Sequence, residues 1–388
     1  MNHVIRNLWR PAVALLAIAA VGTMLVACGG DDNTSATAVP ASTATSGGTT
    51  APTGIPANVG KNDSGDLTGA GATFPAPLYQ AWFDDYNKKV ASKVRINYQS
   101  IGSGGGVQQF TAKTVDFGAS DAPLSDDELK AAGADALHIP MVLGSVVMTY
   151  KVDGVSGKIN LDGDTVAKIY LGTIKKWSDP ALASLNPGVK FPDKDIQVAY
   201  RSDGSGTSFV FTDWLSKVSA DWKAKVGTSK NPTWPAGQGG KGNEGVTNLV
   251  TQTPNSIGYV ELSYAMATKL PFADLKNKSG KFVTPSIDST SAAAAGVSIP
   301  DDYRVSITDP SGDGAYPDAS ITYLLVRKSY DSCSKAKPLV DMLWWAFHDS
   351  GAAATTKELF YAPIPASLLP RVEATLKSIT CEGKPILG

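Results

Sequence analysis

The chain reads as an α/β fold with largely parallel sheets. Short alternating apolar runs are each followed by a loop of glycine, alanine and serine, and then by a segment with helical spacing. That strand–loop–helix order recurs at four separate places, which argues for parallel strands joined by crossover helices. The length of 388 residues and the 43% apolar content suffice for about two domains with sizeable cores. In sheets of this kind, ligands lie beyond the C-terminal strand ends, where loops lead into helices.

The N-terminus comes first. Arg6 and Arg10 precede an apolar run from Ala12 to Val26, too short for a good spanning helix. The run ends Leu25-Val26-Ala27-Cys28-Gly29-Gly30, which resembles the lipobox of bacterial lipoproteins. That resemblance implies a lipoprotein signal peptide over 1–27, a lipidated Cys28 and a mature protein anchored outside the cytoplasmic membrane. A plain cleaved signal peptide is the other reading. Residues 28–65 are rich in Thr, Ala, Ser, Gly and Pro, with too few apolar side chains to offset the entropy of ordering. They are expected to form a disordered tether, with a pro-peptide as the alternative.

The folded part is expected from residue 66. A short strand at Leu67-Thr68 leads into the small-residue loop Gly69 to Ala72 and then Thr73-Phe74-Pro75. Leu78, Trp82, Tyr86 and Val90 follow at helical spacing, with Pro75 suited to a first turn. Thr73 and Phe74 therefore fall at a helix N-terminus. Next, Val94 to Tyr98 alternates as a strand and runs into Ser100-Ile101-Gly102-Ser103-Gly104-Gly105-Gly106, with a helix expected over Val107 to Ala112 and Ser103 as its natural N-cap. Val115 to Leu124 gives a third strand, with Asp121 at its end; taken alone, Asp121 reads as a turn or cap residue. Ser125 to Glu128 is a capping sequence for the following helix.

A fourth unit centres on Arg201-Ser202-Asp203-Gly204-Ser205-Gly206-Thr207-Ser208, between the β-type run Ile196 to Tyr200 and a helix expected from Phe209. Small residues let backbone N–H groups approach a ligand, and a helix start offers orphan donors with a partial positive charge. Arg201 adds a planar donor fork, which Asp203, two residues on, is placed to hold. The plain alternative is a Gly/Ser loop with a surface ion pair. Four turns with the same chemistry favour the anion site.

Composition narrows the classes. Net charge is −1, and Arg6 and Arg10 leave −3 over the rest, so no field of one sign gathers nucleic acid or a membrane surface. Besides Cys28, Cys333 and Cys381 remain, and in an oxidising compartment they are expected to pair. Only His138 and His348 remain in the mature chain, so metal sites and catalytic triads are poorly supplied. No metal, cofactor or catalytic residue is assigned. The Gly-x-Ser-x-Gly order of a hydrolase is missing around Ser205, and Gly240-Lys241 is followed by Gly242, which breaks a Walker A reading. Leu339, Met342, Leu343, Trp344, Trp345 and Phe347 read as a packed helix face.

The loops resemble those of the phosphate-binding protein of the bacterial phosphate ABC importer, the PstS family. The resemblance rests on Leu67 to Pro77, Tyr98 to Gly106, Val115 to Leu124, Asp203 to Phe211, Gly239-Gly240-Lys241-Gly242-Asn243 and Ile257 to Glu261, and spans residues 66 to about 388. It implies a two-lobed, hinged periplasmic-binding-protein fold, each lobe a doubly wound sheet flanked by helices. Lobe one is then expected at 66–149 plus 319–388 and lobe two at 150–318. It also implies that phosphate lies in the cleft on Thr73 and Phe74 (backbone N–H), Ser103, Asp121, Arg201, Ser205, Gly206 (backbone N–H) and Thr207, with Asp203 orienting Arg201. Family members often carry a second serine where Gly104 stands, so a hydroxyl contact is missing there. The implied role is delivery of inorganic phosphate to permease subunits by a monomer that meets the membrane only through its lipid. A binding protein for another oxyanion, or a secreted phosphatase, are the alternatives. A carboxylate such as Asp121 can only accept hydrogen bonds; phosphate has a proton to give it and sulfate has none.

Overall fold

The expected alternation is present from Ser64 onward. The computed structural model describes residues 55–387, so the signal peptide (1–27), Cys28 and the tether up to residue 54 lie outside the described residues. β1 (Ser64–Gly71) leads to α1 (Ala76–Lys89), β2 (Lys93–Ser100) to α2 (Ser103–Thr111), and β3 (Phe117–Ser120) to α3 (Asp126–Ala132). The long β4 (Ala136–Lys151) follows, then β5 (Asn160–Leu161), α4 (Gly163–Tyr170) and α5 (Pro180–Leu185). β6 (Gln197–Arg201) runs into α6 (Gly206–Val218) and α7 (Ala220–Lys225), β7 (Gln238–Gly240) into α8 (Gly242–Gln252), and β8 (Ser256–Glu261) into α9 (Leu262–Thr268). After β9 (Asp274–Lys276), β10 (Phe282–Val283) and α10 (Ile287–Ala295), the chain returns through β11 (Ala319–Arg327). It closes with β12 (Ser329–Tyr330), α11 (Cys333–His348), α12 (Ser350–Glu358), β13 (Ala362–Pro363), α13 (Leu369–Lys377), β14 (Thr380–Cys381) and β15 (Lys384–Pro385).

The main sheet has the order β2-β1-β3-β11-β4-β8-β6-β7, with β13 added against β4. Its flanks are parallel, as the strand–helix alternation requires: β1 with β2 and β3, and β6 with β7 and β8. The centre is not. β11 is antiparallel to β3 and β4, and β4 is antiparallel to β8. The expectation of largely parallel sheets is thus corrected at the two strands that carry the chain across the sheet and back. β4 pairs with β11 as far as Ser145 and with β8 from Val146, and the Val146 N–H donates to the Asp318 carbonyl at 2.8 Å. Both transfers between the flanks lie side by side, at 145/146 and 318/319. The first is a few residues earlier than the expected 149/150.

Two boundaries differ from expectation. The tether was expected to reach residue 65, yet Val59 is buried, the Gly60 N–H donates to Asp341 Oδ2 at 3.0 Å, and the buried Asp63 pairs with Lys337 Nζ at 2.6 Å. The fold therefore takes in the last part of that segment. The helix expected over Val107 to Ala112 starts instead at Ser103, with Gly102 at the N-cap position, so Ser103 does not cap it. Glycine's low helix propensity argued for a loop, but packing overrides it: a Cβ on Gly106 would come within 2.5 Å of Gly71 Cα, so only glycine lets α2 lie this close to β1.

α1 forms where its spacing predicts, except that it ends at Lys89 and leaves Val90 as a half-buried C-cap. Leu78, Tyr79, Trp82, Phe83 and Tyr86 are buried, and Lys88 and Lys89 stand in the last turn, where cations complement the helix dipole. α11 buries Leu339, Met342, Leu343, Trp344 and Trp345, while Phe347 is half-buried. Its first residue, Cys333, is disulfide-bonded to Cys381 of β14, with the Cα atoms 5.2 Å apart. Among the described residues, no helix is long and apolar enough to cross a membrane.

Candidate anion-binding cleft

Five strand-to-helix turns converge between the two flanks of the sheet. They follow β1, β2, β3, β6 and β7, and each delivers its polar residues at the C-terminal end of its strand, as parallel topology dictates. Thr73, Phe74, Ser103, Asp121, Arg201, Ser205, Gly206 and Thr207 are all buried. Burial of so many polar groups is tolerable only if they find partners, and the partners define the site.

Arg201 ends β6 with a side chain 1% exposed. Its Nε and Nη2 donate to Asp203 Oδ1 and Oδ2 at 2.8 and 2.6 Å, and its Nη1 donates to Thr207 Oγ1 at 3.2 Å. The bidentate pair fixes the guanidinium plane, and one hydrogen on each of Nη1 and Nη2 is left for the cleft. Burial works against the charge of Asp203, but the hydrogen bonds from Arg201 outweigh it and hold the carboxyl below its usual range. The Gly242 N–H also donates to Asp203 Oδ1 at 3.0 Å. Asp203, expected from the sequence to orient Arg201, is thus in bidentate contact with it.

Opposite stands Asp121. Thr322 donates to its Oδ1 at 2.9 Å and the Ser103 hydroxyl lies 3.3 Å from its Oδ2. Burial is the largest influence on this carboxyl and pushes it up to about 7, against the pull of Thr322, Arg201 and Ser103. Ser103 Oγ also accepts from the Gly206 N–H at 3.0 Å, so a donor expected to face a ligand is shared with the opposite loop. A Cβ on Gly206 would lie 2.4 Å from Ser103 Oγ and 2.5 Å from Asp121 Oδ2, which excludes any side chain there. The loops meet closely at Gly104 too, whose N–H donates to the Gly204 carbonyl at 2.9 Å.

α6 begins at Gly206, three residues earlier than expected, because Ser205 caps it by accepting from the Ser208 N–H at 2.9 Å. The Ser205 hydroxyl proton stays free to donate. Among the described residues, no protein acceptor takes the N–H groups of Thr73, Phe74 or Thr207. Fixed N–H groups at helix starts, three hydroxyls, half of a guanidinium and one carboxyl thus meet, buried, between the two flanks. They are arranged to hold an anion by hydrogen bonds, with little net charge of their own.

Sequence reasoning missed four contributors. Asn243, at the start of α8, is fully buried and donates from Nδ2 to Thr73 Oγ1 at 2.8 Å and to Thr207 Oγ1 at 3.1 Å. Tyr264 donates to the Thr73 carbonyl at 2.6 Å, and Tyr361 to the Phe74 carbonyl at 2.7 Å. Glu261, behind them, is pushed up to about 8 chiefly by burial, so it adds little negative charge near neutrality. Asn243 and Glu261 stand in stretches that carried the resemblance; the signal for Asn243 was a fifth strand–loop–helix turn at Gly239 to Asn243.

Comparisons with known proteins bear on the family and the fold. Residues 39–341 match the model of the PBP superfamily domain. The chain is 44% identical over 322 residues to the phosphate-binding protein PstS of Xylella fastidiosa, covering 82% of this chain and 87% of that protein. Among solved structures it is similar to a high-affinity periplasmic phosphate-binding protein with phosphate bound, at TM-score 0.65 and 22% identity, covering 80% of this chain and 93% of the other. A phosphate-binding protein from Stenotrophomonas maltophilia gives TM-score 0.60 and 20% identity, covering 81% and 93%.

Proposed function

The chain belongs to the PstS family of phosphate-binding proteins, with a periplasmic-binding-protein fold, and we propose that it binds inorganic phosphate in the cleft described above and delivers it to the permease of an ABC importer. The observation that carries this reading is the pairing of a donor-rich wall with a single buried carboxyl. Arg201, Thr73, Phe74, Ser205 and Thr207 have donors to offer the anion's oxygens, and Asp121 supplies the one acceptor; Ser103 and the Gly206 N–H, expected from the sequence as further donors, are bonded to each other across the cleft and would have to turn from that bond to reach the anion. Phosphate fits because it carries a proton for Asp121. Sulfate brings none, and an oxygen set unprotonated against a buried carboxylate costs several kcal/mol.

The two lobes are taken as residues up to 145 plus 319–388, and 146–318, a division supported by the change of pairing partner within β4. A lipid on Cys28, a tether, a monomeric state and a location on the outer side of the cytoplasmic membrane complete the proposal; the lipobox-like Leu25 to Cys28 supports the lipid. Binding alone, with no bond broken in the ligand, is the role assigned to the cleft. The test is calorimetry of the tag-free mature protein. Phosphate should bind tightly at one site and sulfate should fail to compete. Equal binding of both would replace the reading by that of a general oxyanion carrier. Release of product from a chromogenic phosphate ester would replace it by an enzyme.

A further inference from the structure

Asn243 bonds two of the residues expected from the sequence, Thr73 and Thr207, and its contacts have a direction. Its Oδ1 accepts from the Glu261 N–H at 2.9 Å, which fixes the amide's orientation, since a flipped amide would set donor against donor. Both Nδ2 hydrogens are then spent, one on Thr73 Oγ1 and one on Thr207 Oγ1. Thr73 Oγ1 also accepts from the Asn243 N–H at 3.1 Å, and Thr207 Oγ1 also accepts from Arg201 Nη1. A hydroxyl oxygen has two acceptor sites and one proton to give. Both threonine oxygens are saturated as acceptors, so the only capacity each retains is to donate.

We infer that Asn243 is a positioning residue that makes Thr73 and Thr207 obligate donors toward the bound anion and ties together the two sides of the cleft. The second part follows from topology. Thr73 follows β1 and Asn243 follows β7, which lie on opposite flanks of β4 in the sheet. The side chain is fully buried, so the bridge forms only when the flanks are in contact. The inference rests on the phosphate reading and deepens it, because the orientation of the hydroxyls favours a ligand rich in acceptor oxygens over one that must donate at those points.

The test is phosphate titration of the full-length mature protein and its variants at fixed salt and pH. Asn243→Asp keeps the acceptor toward the Glu261 N–H but offers the two hydroxyls an acceptor where a donor stood. Their protons turn toward it, and affinity should fall by about 100-fold, or two decades. Asn243→Ala should fall by about tenfold in the wild-type background, yet by less than about twofold when Thr73→Val and Thr207→Val are already present, because a residue that acts through those hydroxyls has nothing left to act on. Losses that simply multiply would overturn the inference, as would an Asn243→Asp variant with wild-type affinity. If an Asn243 variant fails to fold by circular dichroism, the single variants Thr73→Val and Thr207→Val decide: each must weaken binding, and unchanged affinity in both would overturn the inference. Wild-type protein that binds no phosphate would remove the functional reading and this inference together, whereas intact wild-type binding with any of the other failures removes the inference alone.

Discussion

Burial pushes the Asp121 carboxyl up to about 7, so near neutrality it divides between a charged acceptor and a neutral donor. The sign of the pH effect follows. Above that value it is ionised and can only accept, which suits phosphate and rejects sulfate; below it the carboxyl carries its own proton and can donate to a sulfate oxygen. The preference for phosphate over sulfate should therefore shrink as pH falls from about 8 to about 5, by about tenfold if about 1.4 kcal/mol of discrimination is lost. Asp121→Asn, permanently a donor, should show a preference that is already low and nearly flat with pH. Paired titrations with both anions measure this, and a pH-independent preference in wild type would assign selectivity to another group. Arg201 serves the opposite wall. Arg201→Ala removes the cation proposed to face the anion and leaves Asp203 with the Gly242 N–H but no cation, at a cost of about 3 kcal/mol in phosphate binding, read as a loss of about 100-fold. Arg201 stood out in the sequence because it ends a strand before a small-residue loop; Asp121, one residue beyond β3, reads alone as a turn or cap residue and was singled out only by the resemblance. Asn243 was not assigned, since its role depends on burial between loops far apart in the chain.

Helix starts are the elements that make the cleft, and they were the hardest to place from sequence. The strand-to-helix turns announce themselves by composition, but the glycines that announce them also hide where the helices begin. Ser103 and Gly206 both lie in a first turn that propensity assigns to loop. What decides is the approach of one loop to another, as at Gly206 against Ser103 and Asp121. Gly206→Ala should thus overpack that contact by about 1–3 kcal/mol and weaken phosphate binding by about tenfold or more, while the far-ultraviolet spectrum stays that of wild type. Wild-type affinity would mean that the loops need not approach so closely. A similar limit explains the early start of the fold. Asp63 is anchored by Lys337, and Gly60 by Asp341, contacts that no local pattern announces. The disulfide is the element-scale feature that composition did reach. It closes a loop with a sequence separation of 48, for which chain entropy gives about 4 kcal/mol of stabilisation on a disputed model. Reduction should lower the thermal midpoint and leave phosphate affinity within about twofold, since Cys333 and Cys381 lie in α11 and β14 and none of the cleft residues does. A large loss of affinity on reduction would show that α11 supports the cleft directly.

For the whole molecule, the parallel flanks of the sheet were legible and its antiparallel centre was not. Repeated strand–helix units dictate parallel neighbours, but nothing local marks β4 and β11 as the strands that pass between the flanks. Their passage at 145/146 and 318/319 leaves two adjacent chain crossings, the arrangement a hinge requires. Closure about such a hinge must be held by contacts far from it. Besides the loops, ion pairs join the two parts among the described residues: Arg304 Nη1 to Asp126 Oδ1 at 2.7 Å, Arg371 Nη2 to Asp301 Oδ1 at 3.0 Å, and Lys230 Nζ to Glu128 Oε1, the most buried of the three, with side chains only 16% and 29% exposed. Both partners are held in place. Glu128 accepts from the Ser125 N–H in the capping box of α3, and the Lys230 carbonyl accepts from the N–H of Ser205, which caps α6. Burial opposes the charge of Glu128, but the hydrogen bond from Lys230 prevails and lowers its carboxyl below the usual range. A partly screened pair of this kind is worth about 1 kcal/mol, so Lys230→Ala should speed phosphate release about fivefold. The association rate should change little, because the pair forms only as the flanks meet. Added salt near 1 M screens the pair and should bring wild type toward the variant. Stopped-flow fluorescence of the buried tryptophans, at low and high salt, measures both rates. Equal release rates at low salt would assign closure to the loops and the other ion pairs; a slower association with unchanged release would make Lys230 a steering charge for the incoming anion.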